Sequence, residues 1–330
     1  MTDNASSGQE FKIIEQIFRP LAASHPGTFN LTDDAAIFSP PSGKDLVVTK
    51  DAMVAGVHFL ENDNPQNIAR KLLRTNLSDI AAMGGKAYGY LLATAWPQDL
   101  DIQWVRDFAA GLADDQRIYG VTLMGGDTVK TPGPMTLSLT LFGTVPKGQR
   151  LLRSGANVGD LICVSGTIGD AALGLKAVLG EIPDISKNDS DFLENRYYLP
   201  RPRCLLGPRL LDLATSCLDV SDGLLADLGH IVSCSAVSGQ LSIADIPLSD
   251  SVKTVLNAGQ ASFQDILSGG DDYELLFTIP SRKRDELQRL ENECAVPISV
   301  IGKVKAGDGV HVLDENGALM SFARTGWQHL

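Results

Sequence analysis

The stretch MTLSLTLFGTVPKGQRLLRSGANVGDLICVS, residues 135–165, divides the chain. Its first part sets apolar residues at 135, 137, 139 and 141 before Phe142, the period of two of a half-buried strand. The glycine-bounded run from Gly148 to Gly159 breaks that pattern, and Leu161-Ile162-Cys163-Val164 starts a fresh strand. At 330 residues one core becomes strained, so two domains are expected, 1–150 and 151–330, with the boundary near residue 150.

Working outward, β-rich runs at 46–49, 88–95, 135–145, 160–165, 217–220, 275–279 and 298–304 alternate with helical patterns at 9–18, 65–83, 102–118, 168–180, 203–214, 222–233 and 281–293. This alternation predicts a mixed α/β architecture. Ser78-Asp79 is followed by Gly125-Gly126-Asp127, and Ser221-Asp222 at almost the same spacing by Gly269-Gly270-Asp271, which raises the question of two related halves. Each Ser-Asp pair also reads as a turn with a helix behind it, where it would serve as an N-cap.

Composition narrows the function. With 28 Lys+Arg against 40 Asp+Glu the net charge is −12, and no basic cluster offers a nucleic-acid face. Asp outnumbers Glu by 30 to 10, which directs attention to turns, caps and metal sites, because a solvated helical surface favours Glu. The cysteines Cys163, Cys204, Cys217, Cys234 and Cys294 are odd in number and form no CxxC pair, so they read as reduced thiols of a cytoplasmic protein. Neither a signal peptide nor a membrane span is expected.

Five acidic turns carry the chemical signal: Asp33-Asp34, Thr49-Lys50-Asp51, Ser78-Asp79, Gly125-Gly126-Asp127 and Asp219-Val220-Ser221-Asp222. Strand ends and helix starts of an α/β fold open onto one cleft, so carboxylates from distant segments are expected to meet there, with cations offsetting their repulsion. Oxygen donors without Cys or His companions select Mg2+ or Mn2+, and such ions in a net-acidic protein imply a polyphosphate ligand. For any one of these Asp residues a turn or cap is the better explanation; for the set, with glycines at 125–126 letting backbone approach a ligand closely, the functional reading is. Neither GxxxxGK[ST] nor a helix-opening GxGxxG occurs. Gly166-Thr167-Ile168-Gly169-Asp170 reads either as an anion-binding helix N-terminus or as a plain strand-to-helix turn. Arg153 is either a surface linker residue or a phosphate clamp, His58 either a satisfied buried imidazole or a site residue, and Trp327 either a packed tail or a ligand contact. No GxSxG, HExxH or Cys/His arrangement supports covalent or zinc chemistry.

Taken in order, these segments resemble the thiamine-monophosphate kinase family of the aminoimidazole ribonucleotide synthetase-like ATP-binding superfamily. The resemblance spans nearly the whole chain. It is carried by Asp33-Asp34-Ala35-Ala36, Thr49-Lys50-Asp51, Gly56-Val57-His58-Phe59, Asn76-Leu77-Ser78-Asp79, Tyr119-Gly120, Gly125-Gly126-Asp127-Thr128 and Arg153-Ser154-Gly155. It continues through Asp219-Val220-Ser221-Asp222-Gly223-Leu224, Asp227-Leu228-Gly229-His230-Ile231, Gly269-Gly270-Asp271-Asp272-Tyr273-Glu274 and Gly326-Trp327.

The resemblance implies a two-domain fold of mixed sheets, an N-terminal metal- and ATP-binding domain that pairs in a homodimer, and a C-terminal domain closing the substrate cleft. It implies several Mg2+ ions held by Asp34, Thr49, Asp51, Asp79, Asp127, Asp219 and Asp222. Tyr119, Gly126, Asp127, Arg153 and Ser221 would contact ATP, and His58, Asp271 and Trp327 would contact thiamine monophosphate. The implied reaction is Mg2+-dependent transfer of the ATP γ-phosphate to thiamine monophosphate, giving thiamine diphosphate and ADP. Lys50 stands where the family commonly has a small hydroxyl residue, and is expected to meet either metal or phosphate. Asp271 stands where Glu is usual, Leu31-Thr32 replaces a glycine-rich approach, and the tail ends Gln-His-Leu. Two other readings fit parts of the pattern: another ATP-dependent member of the superfamily, such as a synthetase or a selenophosphate synthetase, and a non-catalytic nucleotide-binding partner. The first cysteine, Cys163, lies far from where a selenophosphate synthetase carries its reactive residue, and bare nucleotide binding does not need so many carboxylates.

Overall fold

The structure, a computed structural model, describes residues 12–326. These divide into two compact units, one built from residues up to Ile80 with Gly85–Gly148 and the other from Ala81–Gly84 with Gln149 onward.

The first unit rests on strands β1 (Lys44–Val54), β2 (Lys86–Pro97), β3 (Thr122–Thr131) and β4 (Thr136–Pro146), in the order β1-β4-β2-β3. The β4 strand pairs antiparallel with β1 and β2, and β2 runs parallel to β3. The alternation expected at 135–145 is present: Leu137, Leu139 and Leu141 are fully buried, while Ser138 and Thr140 face the other way. A short helix, α1 (Arg19–Ala22), follows a π-helical turn at Ile14–Phe18. The buried side of the sheet lies against α2 (Pro65–Ala82) and α3 (Ile102–Tyr119), whose apolar stripes are Ile68, Leu72, Leu73, Leu77 and Ile80, and Val105, Phe108 and Leu112. Asp101 caps α3 by accepting the Gln103 N–H, and Gly120 closes it in the left-handed conformation. Within this pair of helices, fully buried Asp115 takes both Arg70 and Arg74.

The second unit carries β5 (Leu161–Ser165), α4 (Asp170–Val178), α5 (Lys187–Tyr198), β6 (Ser216–Asp219), α6 (Leu224–Ser235), β7 (Ser238–Ser242), α7 (Asp250–Asn257), α8 (Phe263–Ser268), β8 (Leu275–Ile279), α9 (Glu286–Cys294), β9 (Ile298–Lys305) and β10 (Val310–Leu313). Its sheet has the order β10-β7-β9-β5-β8-β6, all antiparallel except β10 with β7. Both faces of the central strands are covered. Ile162, Val164, Leu276 and Ile301 join one apolar cluster, and Leu161, Cys163, Leu275, Phe277 and Ile279 join another. That is why β5 reads as an apolar run from Leu161 to Val164 and β8 as one broken only by buried Thr278.

Several expectations are corrected here. The helix expected over 203–214 is only a 3-10 turn, Gly207–Leu210, because Pro208 in mid-segment lacks the N–H that an α-helix would need there. Helix α5 escaped the periodicity because its buried face includes Arg196 beside Leu193 and Tyr197. The β3 strand contains Gly125-Gly126-Asp127, which read as a turn. The repeat does not hold at these motifs either. Ser78-Asp79 lies inside α2 and Ser221-Asp222 in the loop before α6, while the first Gly-Gly-Asp is in a strand and the second in a loop. Among the described residues no helix is long and apolar enough to cross a membrane.

Candidate active site

In the first unit, strand geometry sorts the β1 residues. Successive side chains point to opposite faces, so Thr49 and Asp51 face the helices and Lys50 faces away. Thr49 Oγ1 donates to Asp79 Oδ2 at 2.6 Å. Asp79 stands near the end of α2, one turn beyond Thr75, so both present to the same side. Burial pushes the Asp51 carboxyl above its ordinary value, opposed by the Thr75 hydroxyl and the His58 imidazole. His58 is half-buried just beyond β1, and its Nδ1 accepts the Val54 N–H at 3.1 Å. Thr49, Asp51, Thr75, Asp79 and His58 thus form one neighbourhood at the β1/α2 side of this unit. The capping reading of Ser78-Asp79 is wrong, because α2 begins at Pro65 and buries Ser78 completely. Lys50 is placed by its Nζ, which donates to Ser138 Oγ at 2.7 Å on the opposite face.

The other N-terminal candidates lie elsewhere on the unit. Asp127 pairs in register with Ala93, which pairs with Ser138, so it belongs to the face that Lys50 occupies. It is exposed, and its Oδ1 accepts the Thr128 N–H. A Cβ on Gly126 would lie 1.8 Å from the Leu92 carbonyl oxygen, so close pairing of β2 with β3 already requires this glycine. Tyr119 ends α3 with the Arg74 guanidinium 5.6 Å from its ring centre. Asp33 and Asp34 are exposed in a loop that closes through the Ile37 N–H to the Gly27 carbonyl, 2.8 Å. Three consecutive left-handed residues, Phe29, Asn30 and Leu31, lead into that loop.

In the second unit, Asp219 ends β6 and is 7% exposed, while Ser221 and Asp222 occupy the turn before α6. The N–H groups of Ser221, Asp222 and Gly223 all donate to Asp227 Oδ2, at 3.0–3.1 Å. Burial and the Asp222 charge push the Asp227 carboxyl up to about 7 against those three hydrogen bonds. Gly223, at φ 122°, permits the turn. Asp271 sits beside it, donating its N–H to the Ser221 carbonyl at 2.9 Å and itself held at φ 69°. Arg153 is exposed, preceded by Leu152, whose carbonyl accepts the Cys217 N–H at 2.8 Å. Trp327 lies outside the described residues. Its neighbour Gly326 packs against the same turn, since a Cβ there would come within 2.8 Å of the Asp222 carbonyl oxygen.

The Gly166–Asp170 turn settles differently from the anion-binding reading. The helix N-terminus is occupied by the chain's own Asp272, whose carboxylate accepts the Gly169 N–H at 2.8 Å and the Ala171 N–H at 3.3 Å. Thr75, Asp227, Asp272 and Glu274 were not singled out from the sequence. Thr75 was detectable from its four-residue spacing to Asp79. The other three sit within the quoted motifs, where nothing local distinguishes a buried supporting carboxylate from one that meets a ligand.

Among the described residues, no three His, Cys, Asp or Glu side chains are grouped to hold a metal ion. The donor chemistry at Thr49, Asp51 and Asp79 nevertheless suits a hard divalent cation, being oxygen only. A cation there would also favour ionised Asp51, which burial alone disfavours.

The family model for the N-terminal domain of AIR synthase related proteins matches residues 32–145, a span holding Asp34, Thr49, Asp51, His58, Asp79, Tyr119 and Asp127. The thiamine-monophosphate kinase of Caulobacter vibrioides is 41% identical over 328 residues, covering 98% of this chain and 92% of that protein. The crystal structure of thiamine-monophosphate kinase from Stenotrophomonas maltophilia K279a superposes with a TM-score of 0.80 at 38% identity, covering 88% of this chain and 91% of that one. A structure described as AaThiL complexed with AMPPCP and TMP superposes with a TM-score of 0.78 at 30% identity, covering 90% and 91%.

Proposed function

Since the chain belongs to the thiamine-monophosphate kinase family, we propose that it transfers the γ-phosphate of ATP directly to the phosphate of thiamine monophosphate, with Mg2+ as the required ion. It is a kinase whose acceptor is itself a phosphate group. The observation that carries the reading is near-full-length identity of 41% to a protein of that name.

Thr49, Asp51 and Asp79 would hold one Mg2+, Asp219 and Asp222 another, and Asp34 and Asp127 would complete the set. Bound there, the ions would supply positive charge that offsets phosphate charge, which a chain of net charge −12 would otherwise repel. Asp127, on the opposite sheet face from Thr49, serves a different ion from Asp79. Tyr119, Gly126, Arg153 and Ser221 are assigned to ATP, with the Arg153 guanidinium gripping phosphate. His58, Asp271 and Trp327 are assigned to thiamine monophosphate. Lys50 is assigned to neither metal nor phosphate, because it bonds Ser138 on the far face of its strand.

A phosphate monoester loses its second proton near pH 6, so at neutral pH the acceptor oxygen is already a nucleophile and needs no base from the chain. What the side chains supply is position and countercharge. Transfer in line, with no phosphoenzyme, inverts the configuration at phosphorus. The homodimer finds support in the open face of the first sheet, where Leu46, Val48 and Leu91 are 46%, 55% and 38% exposed. Five free thiols, Cys163 and Cys217 among them buried, suit a reducing compartment, and we place the protein in the cytoplasm.

The direct test incubates the protein with ATP, Mg2+ and thiamine monophosphate and resolves products by chromatography. Thiamine diphosphate and ADP in equal amounts are expected, with none formed in excess EDTA. ADP without thiamine diphosphate would refute the assignment.

A further inference from the structure

Beneath the Gly269–Glu274 loop lies a buried set of charges that the phosphate chemistry does not use. Glu274 is fully buried and accepts four hydrogen bonds. Ser165 Oγ donates to its Oε2 at 2.6 Å and Arg203 Nε to the same oxygen at 2.5 Å, while Oε1 takes Arg196 Nη2 at 3.0 Å and a second Arg203 nitrogen. Arg196 reaches on to Asp170 at 3.3 Å. Burial works against the Arg196 charge, and Glu274, Asp170 and Asp272 more than offset it.

Above this set the loop is strained. Asp271 and Tyr273 have φ of 69° and 51°, a region non-glycine residues seldom occupy. Their side chains meet each other, the Tyr273 hydroxyl donating to Asp271 Oδ1 at 3.3 Å. Asp272 and Glu274, between and after them, turn inward and are held at both ends, by the α4 amides and by the two arginines. The loop is also fixed to the preceding turn: Tyr273 N–H donates to the Val220 carbonyl, and Val220 N–H to the Glu274 carbonyl, both at 2.8 Å. Arg196 Nη1 and Asp170 Oδ1 find no hydrogen-bond partner among the described residues, so the network is not one tuned for stability alone.

We propose that Glu274, Arg196, Arg203 and Asp272 are positioning residues for thiamine monophosphate, holding the strained 270–273 turn so that it presents Asp271. Strain of this kind persists only where the surroundings over-determine it, and here the surroundings are buried Glu274, Arg196 and Asp272 with half-buried Arg203. The inference rests on the assignment of Asp271 to the substrate.

The test titrates thiamine monophosphate calorimetrically into protein saturated with a non-hydrolysable ATP analogue and Mg2+, alongside KM and Tm. Arg203→Lys keeps the charge but loses the two-pronged grip on Glu274, and Glu274→Gln keeps the shape but loses the charge. Both are expected to raise the Kd and KM for thiamine monophosphate at least tenfold, while the Kd of the ATP analogue changes less than threefold. Ile301→Val, a core change in the same unit, lowers Tm and leaves both affinities unchanged. Asp271→Asn should itself weaken the substrate. If Asp271→Asn weakens it and both network variants stay within twofold, the positioning role is overturned while the substrate assignment survives. If Asp271→Asn has no effect, the assignment fails and takes the inference with it. Should Glu274→Gln not fold, Arg203→Lys decides alone.

Discussion

Asp79 shows how little a side chain's local setting reveals of its work. It is one of four residues in the final turn of α2, yet its carboxylate accepts the Thr49 hydroxyl from a strand 30 residues earlier. Asn in its place can still accept that hydrogen bond through Oδ1, so folding should lose only about 1 kcal/mol. The negative charge is what disappears. Asp79→Asn is therefore expected to lower kcat on the order of 100-fold or more, with Tm falling by only roughly 2–4 °C, as read by ADP release and calorimetry. Wild-type turnover in this variant would remove Asp79 from the metal set. The cysteines make a second residue-scale case. Burial pushes the Cys163 thiol up to about 12 and that of Cys217 higher still, so neither supplies thiolate at neutral pH. Cys234 is exposed. A thiol reagent at pH 8 should show a fast phase that Cys234→Ser abolishes, and rapid labelling of Cys163 in the folded protein would contradict its placement.

At the scale of elements, close approaches decide which glycines are replaceable. Gly125 and Gly126 are adjacent in β3, but a Cβ on the first would meet only the Leu91 side chain at 3.4 Å, while one on the second would strike the Leu92 carbonyl at 1.8 Å. Backbone cannot yield there without splaying β2 from β3. Gly126→Ala should cost about 3 kcal/mol, a fall in Tm of roughly 6–12 °C, whereas Gly125→Ala should leave Tm almost where it was. Equal melting of the two variants would mean that β2 and β3 are not paired in this register. The turn before α6 offers the same kind of contrast. Three amides converge on Asp227, so Asp227→Ala leaves them without their acceptor and should destabilise the second unit by about 2–3 kcal/mol, measured by urea unfolding.

For the molecule as a whole, the open face of the first sheet is the feature that a single chain leaves unexplained. Val48 opposes Phe142 across β1 and β4, and Lys50 opposes Thr140 on the same face. An apolar row beside a lysine is costly to leave in water but simple to cover with a second copy. Sedimentation should give a species of twice the 35.2 kDa of one chain, and Val48→Lys, which adds a like charge beside Lys50, should yield monomers. A monomeric wild-type protein would remove the homodimer from the proposal.

Periodicity and motif order were enough to establish the mixed α/β class, the family and most of the longer strands and helices, because those depend on patterns local in the chain, though not the 203–214 segment or β3, β7 and β10. Leu137, Leu139 and Leu141 announce a half-buried strand whatever surrounds them, and Leu161 to Val164 announce a central one. Side-chain direction was legible too, in principle: the alternation that separates Lys50 from Thr49 and Asp51 is a property of any strand. What only the tertiary structure decided was which polar groups meet. Asp272 fills a helix N-terminus that an external anion was a candidate for, Arg196 hides the buried face of α5 from any apolar count, and Asp127 lies on the opposite sheet face from the carboxylates it seemed to join. Each of these depends on a partner about 30 to 100 residues away. Hydrophobic burial leaves a repeating signature along the chain, whereas a buried charge is recognisable only beside the group that compensates it.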